Sequence, residues 1–204
     1  DFKPQPSLAK SWTVSPDGKT ITFKLQEGVK FHDGKPFTSA DVQFTFMNVL
    51  KKVHPRGPIT FRDLEAVDTP DPLTAVFRFA KPAPYALVAL SGYESPILPK
   101  HLFETGDLMN HPNANKPVGT GPVKFGSWIK DDKLVLEAND GYWGGKPEFE
   151  RWVMRPIPET APRIAALLKG EVDIITQLPA DQGERVAGNP STRVDLDRFR
   201  ERMG

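Results

Sequence analysis

Trp12-Thr13-Val14-Ser15-Pro16-Asp17-Gly18-Lys19-Thr20-Ile21-Thr22-Phe23-Lys24-Leu25 is the stretch that decides how the chain begins to fold. Ile21, Phe23 and Leu25 alternate with Thr20, Thr22 and Lys24, the period-two pattern of a strand with one buried face. Trp12 and Val14 alternate in the same way. Asp17-Gly18 between the runs is hairpin-turn chemistry, because the turn needs a residue that tolerates positive φ. The opening forty residues therefore read as antiparallel β. Val29 and Phe31 suggest a further short strand, closed by a second turn at Asp33-Gly34. Thr38 with Asp41 three residues on is a relative of the capping box. Val42, Phe46, Val49 and Leu50 then form one apolar stripe of a 3.6-period helix.

Further along, 51–62 is basic and carries two prolines, and reads as a loop. Leu64 to Val67 and Ala75 to Phe79 are expected to pair across Thr69-Pro70-Asp71-Pro72. Pro84 to Leu90 is a short helix with proline at its start, 92–99 is irregular, Leu102 to Leu108 is a helical turn, and 110–117 is a polar connector at which a domain boundary is expected. Beyond it, Val123, Phe125 and Trp128 mark a strand with an irregularity near Gly126, and Leu134 with Leu136 follow. Trp152 to Ile157 is another strand. Thr160 to Leu168 is a helix, with Pro162 in its first turn and Gly170 just past its end. Val172 to Ile175 is a short apolar strand. Strand, helix and strand at this spacing predict a βαβ unit and parallel pairing. The fold class is α/β, with α+β character in the first part.

The 204 residues carry 27 Lys+Arg against 26 Asp+Glu, a net charge of +1, which supplies no drive toward nucleic acid or an anionic membrane. There is no cysteine, so disulfides and thiolate metal sites are excluded. No apolar run approaches the ~20 residues that span a bilayer, and Asp1-Phe2-Lys3-Pro4 is not the charged start of a signal peptide. Gly141-Tyr142-Trp143-Gly144-Gly145-Lys146 fails as a phosphate loop, because Asp140 stands where its first Gly belongs and Pro147 where Ser/Thr is required. Gly119-Thr120-Gly121 fails as a dinucleotide fingerprint, because Lys124 replaces the third Gly and Pro122 removes a backbone donor. His32, His54, His101 and His111 have no ligand spacing. No nucleophile elbow is present. No catalytic residue, metal or cofactor is expected.

Four stretches carry a resemblance. The first runs from Pro6-Ser7-Leu8-Ala9-Lys10-Ser11-Trp12 through Ser15-Pro16-Asp17-Gly18-Lys19-Thr20 and Gly28-Val29-Lys30-Phe31-His32-Asp33-Gly34 to Phe37-Thr38-Ser39-Ala40-Asp41-Val42. The second is Pro117-Val118-Gly119-Thr120-Gly121-Pro122. The third is Asn139-Asp140-Gly141-Tyr142-Trp143-Gly144-Gly145-Lys146-Pro147, and the fourth runs from Arg163 to Gly170-Glu171-Val172-Asp173-Ile174. In this order they closely resemble the solute-binding proteins of peptide/nickel ABC importers, the dipeptide- and oligopeptide-binding proteins.

The resemblance implies a two-lobed, hinge-closing binder of the type-II periplasmic class. Residues 1–116 look like the antiparallel-rich extra subdomain beside lobe one. Residues 117–204 look like part of lobe one, with a mixed sheet and the βαβ unit. Family members are considerably longer, so the second lobe, with the acidic residue that captures a peptide's amino terminus, is expected outside these 204 residues. The implied role is an extracytoplasmic component that captures a small ligand, a di- or oligopeptide first, and delivers it to ABC permease subunits. Family members also take nickel chelates, glutathione, opines and sugars. A periplasmic or surface-anchored monomer is implied, touching the membrane only through the permease or a lipid anchor. Segments corresponding to ligand-contacting places are His54-Pro55-Arg56 and Gly92-Tyr93-Glu94-Ser95. Tyr93 can stack on a ligand, Glu94 can accept from an amine, and Arg56 can pair with a carboxylate. Gly119, Thr120 and Gly121 fall where the family's chain re-enters lobe one beside the cleft, and there they can position backbone donors. Their plainer reading is that the glycines serve unusual backbone angles or a close approach, and Trp12, Phe23, Trp128 and Trp143 read as core. Three other readings stay open: a ligand-sensing regulatory domain of the same fold, a hydrolase, and a peptide-holding chaperone.

Overall fold

A computed structural model of the chain describes residues 3–92 and 94–195. The hairpin forms as the alternation requires. β1 (Ala9–Val14) and β2 (Thr20–Leu25) pair antiparallel, with Trp12 opposite Phe23. Gly18 sits at φ 67°, a left-handed turn position that a Cβ would strain. β3 (Leu64–Asp71) and β4 (Thr74–Phe79) complete a sheet of order β1-β2-β4-β3, antiparallel throughout. β3 runs longer than its apolar pattern suggests, through Asp71, because Asp71 still pairs with Thr74 beside the turn.

One face of this sheet is the core. Ile21, Phe23 and Leu25 on β2, and Ala75, Phe77 and Phe79 on β4, are all buried. Phe23 and Phe77 meet edge to face at 5.0 Å, and Phe46 from the helical layer lies 4.8 Å from Phe77. Such pairs add about 0.5–1.5 kcal/mol each beyond the area they bury.

The helical layer starts at α1 (Ser39–Phe44), capped from Thr38. The Asp41 carboxylate accepts from the Thr38 N–H at 2.9 Å and from its hydroxyl at 3.1 Å. Its other oxygen accepts from the Lys100 N–H at 2.9 Å. The helix then widens into a π turn over Thr45–Leu50, so the 3.6 period holds only up to Phe44. At the change the fully buried Thr45 hydroxyl accepts from the Leu98 N–H at 3.0 Å. Val42, Phe46 and Leu50 stay buried as the stripe predicts, while Val49 is half-buried.

Several local expectations are corrected. Val29 and Phe31 are buried but form no strand; a single Lys30–Pro36 bridge and the Phe37 N–H to Val29 bond close a loop instead. Within 51–62 lies α2 (Gly57–Thr60), started by Pro58. α3 (Ala86–Ala89) falls inside the expected helix. The turn expected at 102–108 is α4 (Lys100–Phe103), shifted toward Pro99, with a 3-10 turn at Leu108–Asn110 and another at Pro112–Asn115 inside the connector.

β5 (Val123–Ile129), β6 (Lys133–Ala138) and β7 (Arg151–Met154) form a second sheet in that order, and β5 runs unbroken through Gly126. Trp128 is 57 % exposed and not core, because nothing among the described residues covers its face of the strand. The chain divides into two compact units, Asp1–Trp128 with Val135–Val153, and Ile129–Leu134 with Met154–Gly204. In the second unit α5 (Thr160–Leu168) has the expected bounds and buries Ile164 and Ala166. Gly170 at φ 70° ends it: its N–H reaches the Leu167 carbonyl and the Glu171 N–H the Ala166 carbonyl, a Schellman closure. Arg163 donates to the carbonyls of Ile157 and Pro158. α6 (Gly183–Ala187) buries Val186. Val172 to Ile175 is not a strand, so the expected βαβ unit does not close among the described residues. An extended apolar run becomes a strand only where a neighbour's backbone pairs with it, and Ile174 is instead 66 % exposed.

Asp41 makes a testable point of this fold. Asp41→Ala leaves the Thr38 and Lys100 N–H groups without their acceptor, and a loss of about 1–3 kcal/mol is expected. Asp41→Asn should lose less. Urea unfolding of the three proteins checks the order.

Candidate functional site

The first unit contains a cavity of about 480 Å³ opening between the sheet core, Ser91 with Gly92, Ser95 to Ile97, and the Gly119–Gly121 loop. Its walls are apolar: Trp12 and Leu25 from the hairpin, Leu87 in α3 and Leu90 just after it, Ile97, and Trp143. Polar residues are fewer on its lining, among them Ser91, Ser95, Thr120 and Tyr142. Apolar walls with a small number of fixed polar groups are the general form of a small-ligand site.

The Gly119–Gly121 loop is held from several directions. Phe31 and Phe37, buried and 6.1 Å apart edge to face, anchor the 29–37 loop and so place His32 between them. The His32 N–H donates to the Gly119 carbonyl at 2.9 Å. The ring Nδ1 accepts from the Gly119 N–H at 3.1 Å, and Nε2 lies 3.1 Å from the Gly121 carbonyl. Asn139 Nδ2 donates to that same carbonyl at 3.0 Å, and the Trp143 indole donates to the Thr120 carbonyl at 3.2 Å. All three carbonyls and one N–H of the loop are thereby engaged. Among the described residues the N–H groups of Thr120 and Gly121 make no hydrogen bond.

The glycines of this loop are not explained by their backbone angles. Neither Gly119 nor Gly121 has positive φ. A Cβ on Gly119 would make an ordinary 3.6 Å contact with His32 Cε1, and one on Gly121 would meet nothing within 4 Å. The expectation of strain or close approach is corrected accordingly.

The other expected ligand residues fall into two places. Ser95 lies on the large cavity, but it is buried and its hydroxyl is engaged, donating to the Ser91 carbonyl at 3.1 Å and accepting from the Ser91 N–H at 3.2 Å. Arg56 and Glu94 line a smaller cavity of about 180 Å³ with His54, Thr60 and Phe61. There they form an ion pair at 2.6 Å, so each is the other's partner. Tyr93 lies outside the described residues. Trp12 and Trp143 are half-buried on the cavity wall rather than in the closed core, whereas Phe23 is core as expected. His32 and Asn139 were not legible as site residues. Their only signal was position within the stretches that carry the resemblance, since their contacts with the loop span 87 and 18 residues of sequence.

Among the described residues no group of His, Cys, Asp and Glu is arranged to hold a metal ion, and no helix is long and apolar enough to cross a membrane. The charge near the loop is set by His32, Asp33 and Lys124. Burial pushes the His32 ring below the usual 6.5, with Lys124 acting the same way and the Gly121 bond and Asp33 acting against them. Burial raises the Asp33 carboxyl, but the hydrogen bonds from His101 Nε2, at 2.6 Å, and from the Lys35 N–H outweigh it and hold it below 3.8.

With its mixture of helices and sheets, this chain has the fold of part of a type-II periplasmic binding protein. More narrowly, it belongs to the bacterial extracellular solute-binding proteins, family 5, whose middle-region model matches residues 3–202. It is 37 % identical over 210 residues to a Brucella ovis protein provisionally named an ABC transporter peptide-binding protein, covering 96 % of this chain and 39 % of that protein. The oligopeptide-binding protein AppA from Bacillus subtilis, solved with a nonapeptide, superposes with a TM-score of 0.80 at 30 % identity, over 90 % of this chain and 37 % of AppA. MoaA from A. tumefaciens R10, solved with mannopinic acid, gives 0.83 at 26 % identity, over 91 % of this chain and 38 % of MoaA. The chain thus spans about two fifths of the length of the relatives it matches.

The Arg56–Glu94 pair generates a prediction. Their side chains are 61 % and 37 % exposed, and such a pair contributes about 0.2–1 kcal/mol. Arg56→Ala should therefore leave the melting temperature nearly unchanged. Any loss of ligand affinity in that variant then reports a contact with ligand, and calorimetric titration against peptides measures it.

Proposed function

We propose that this chain supplies one wall of the binding cleft of an extracytoplasmic solute-binding protein of an ABC importer, with short peptides as its ligands. The observation that carries the reading is the hydrogen-bond pattern of the Gly119–Gly121 loop. Its carbonyls are engaged by His32, Asn139 and Trp143, while two N–H donors stay without acceptors beside an apolar cavity. A peptide offers carbonyls or a carboxylate to such donors and apolar side chains to such walls. Support from likeness is consistent: AppA was solved with a nonapeptide, and the Brucella ovis relative carries a peptide-binding name.

In this reading residues 1–116 serve as the extra subdomain and 117–204 as part of lobe one. A second lobe closes on the ligand about a hinge, so ligand shifts the population from open to closed, and the closed form docks on the permease. The role is capture and delivery rather than turnover, in the periplasm or at the cell surface, by a monomer. Tyr93, Glu94, Ser95 and Arg56 remain proposed contributors to the cleft.

The test is mass spectrometry of small molecules that co-purify with the protein, followed by thermal unfolding with di- to nonapeptides. A ligand that binds the native state must raise the melting temperature with concentration. Co-purified peptides and a concentration-dependent rise are expected. No co-purified peptide and no shift with any peptide would overturn the reading.

A further inference from the structure

The imidazole of His32 is used in a way that fixes its protonation. A backbone N–H can only donate, so Nδ1, which takes the Gly119 N–H, carries no proton. A carbonyl can only accept, so Nε2, which faces the Gly121 oxygen, carries one. The two contacts together require the neutral ring in its Nε2–H form. A proton added at Nδ1 replaces the Gly119 acceptor with a second donor, and that contact becomes repulsive.

We propose that His32 is a positioning residue whose ring holds the Gly119 N–H of the Gly119–Gly121 loop only while it is neutral, so that the rim of the cavity carries a proton-sensitive latch. The charged and titratable groups facing it are Lys124 on β5, the adjacent Asp33, and, through Asp33, His101 of α4. Burial and Lys124 favour the neutral ring, and Asp33 favours the charged one. The net direction is downward from 6.5. The unfolded chain therefore takes up the proton first as pH falls. The stability that His32 contributes is complete above about 6.5 and drains as pH drops below it toward the folded value. A proton on Nδ1 costs the loop its Gly119 N–H tie and shifts the Thr120 and Gly121 donors, while the His32 N–H, Asn139 and Trp143 still hold the carbonyls, so ligand affinity falls as pH passes through the folded value, at the lower end of that window. That last consequence rests on the solute-binding reading, whereas the latch does not.

The experiment is an NMR titration of the protein from about pH 7.5 to about pH 5, following the His32 ring nitrogens and the Gly119 amide. The expected result is an Nε2–H tautomer that titrates below the ordinary histidine value, with the Gly119 amide shift moving on the same curve. Titration at or above 6.5, or a Gly119 amide indifferent to His32 protonation, overturns the proposal. His32→Gln supplies one acceptor and one donor on a side chain that does not titrate. Its melting temperature should fall less than wild type between the same limits, and an equal fall counts against the latch. Trialanine affinity across the range is the functional arm: wild type should weaken with acid more than His32→Gln. Should no di- to nonapeptide bind at all, the capture reading fails on its own while the NMR arm still decides the latch.

Discussion

Phe77 is the side chain through which the sheet, the helical layer and the cavity are joined. Its ring touches Phe23 across the β2–β4 ladder and Phe46 on the helical layer, and it also lines the cavity. Because strand side chains alternate faces, this contact helps fix the β2–β4 register: a one-residue slip of β2 would turn Ile21 and Phe23 toward water, away from Phe77 and Phe79. Burial of each such ring is worth about 1.5–3 kcal/mol, far more than the surface ion pairs of the chain. The apolar face therefore wins over any alternative pairing, and α1, capped by Thr38 and tied by Asp41 to Lys100, settles on it.

The site follows from that core by short steps. The buried Phe31 and Phe37 hold the 29–37 loop, that loop holds His32, and His32 holds Gly119 to Gly121. A half-buried loop must satisfy its polar backbone groups, and here the backbone and ring of His32 and the side chains of Asn139 and Trp143, two separate segments, do so for the carbonyls. What is left over is a pair of N–H donors beside apolar walls. Two structural neighbours hold unlike ligands, AppA a nonapeptide and MoaA mannopinic acid.

The sequence revealed what is local. The β1–β2 hairpin was legible because Asp17-Gly18 and strict alternation act within a dozen residues, and α5 was legible to its last residue because Gly170 ends it. The Val172 to Ile175 strand was not borne out, since an apolar run says nothing about whether a pairing edge is at hand. The π turn after Phe44 depends on Thr45 meeting Leu98, a tertiary contact that periodicity cannot express. The Gly-Thr-Gly loop was found by resemblance, but the part of its glycines that concerns backbone angle was misread. Its real support, His32, was passed over because a lone histidine reveals its partners only once residues 87 positions apart are folded together.

The central claim is that the Gly119–Gly121 loop is a fixed part of the first unit, held through His32, and not a free connector. Amide hydrogen exchange of Gly119 at pH 7 tests it most directly. The account predicts protection of the Gly119 amide well above that of the exposed turn at Gly34, approaching that of core strand amides such as Phe23. Exchange of Gly119 at the unprotected rate, while Phe23 and Phe77 remain protected, would contradict it.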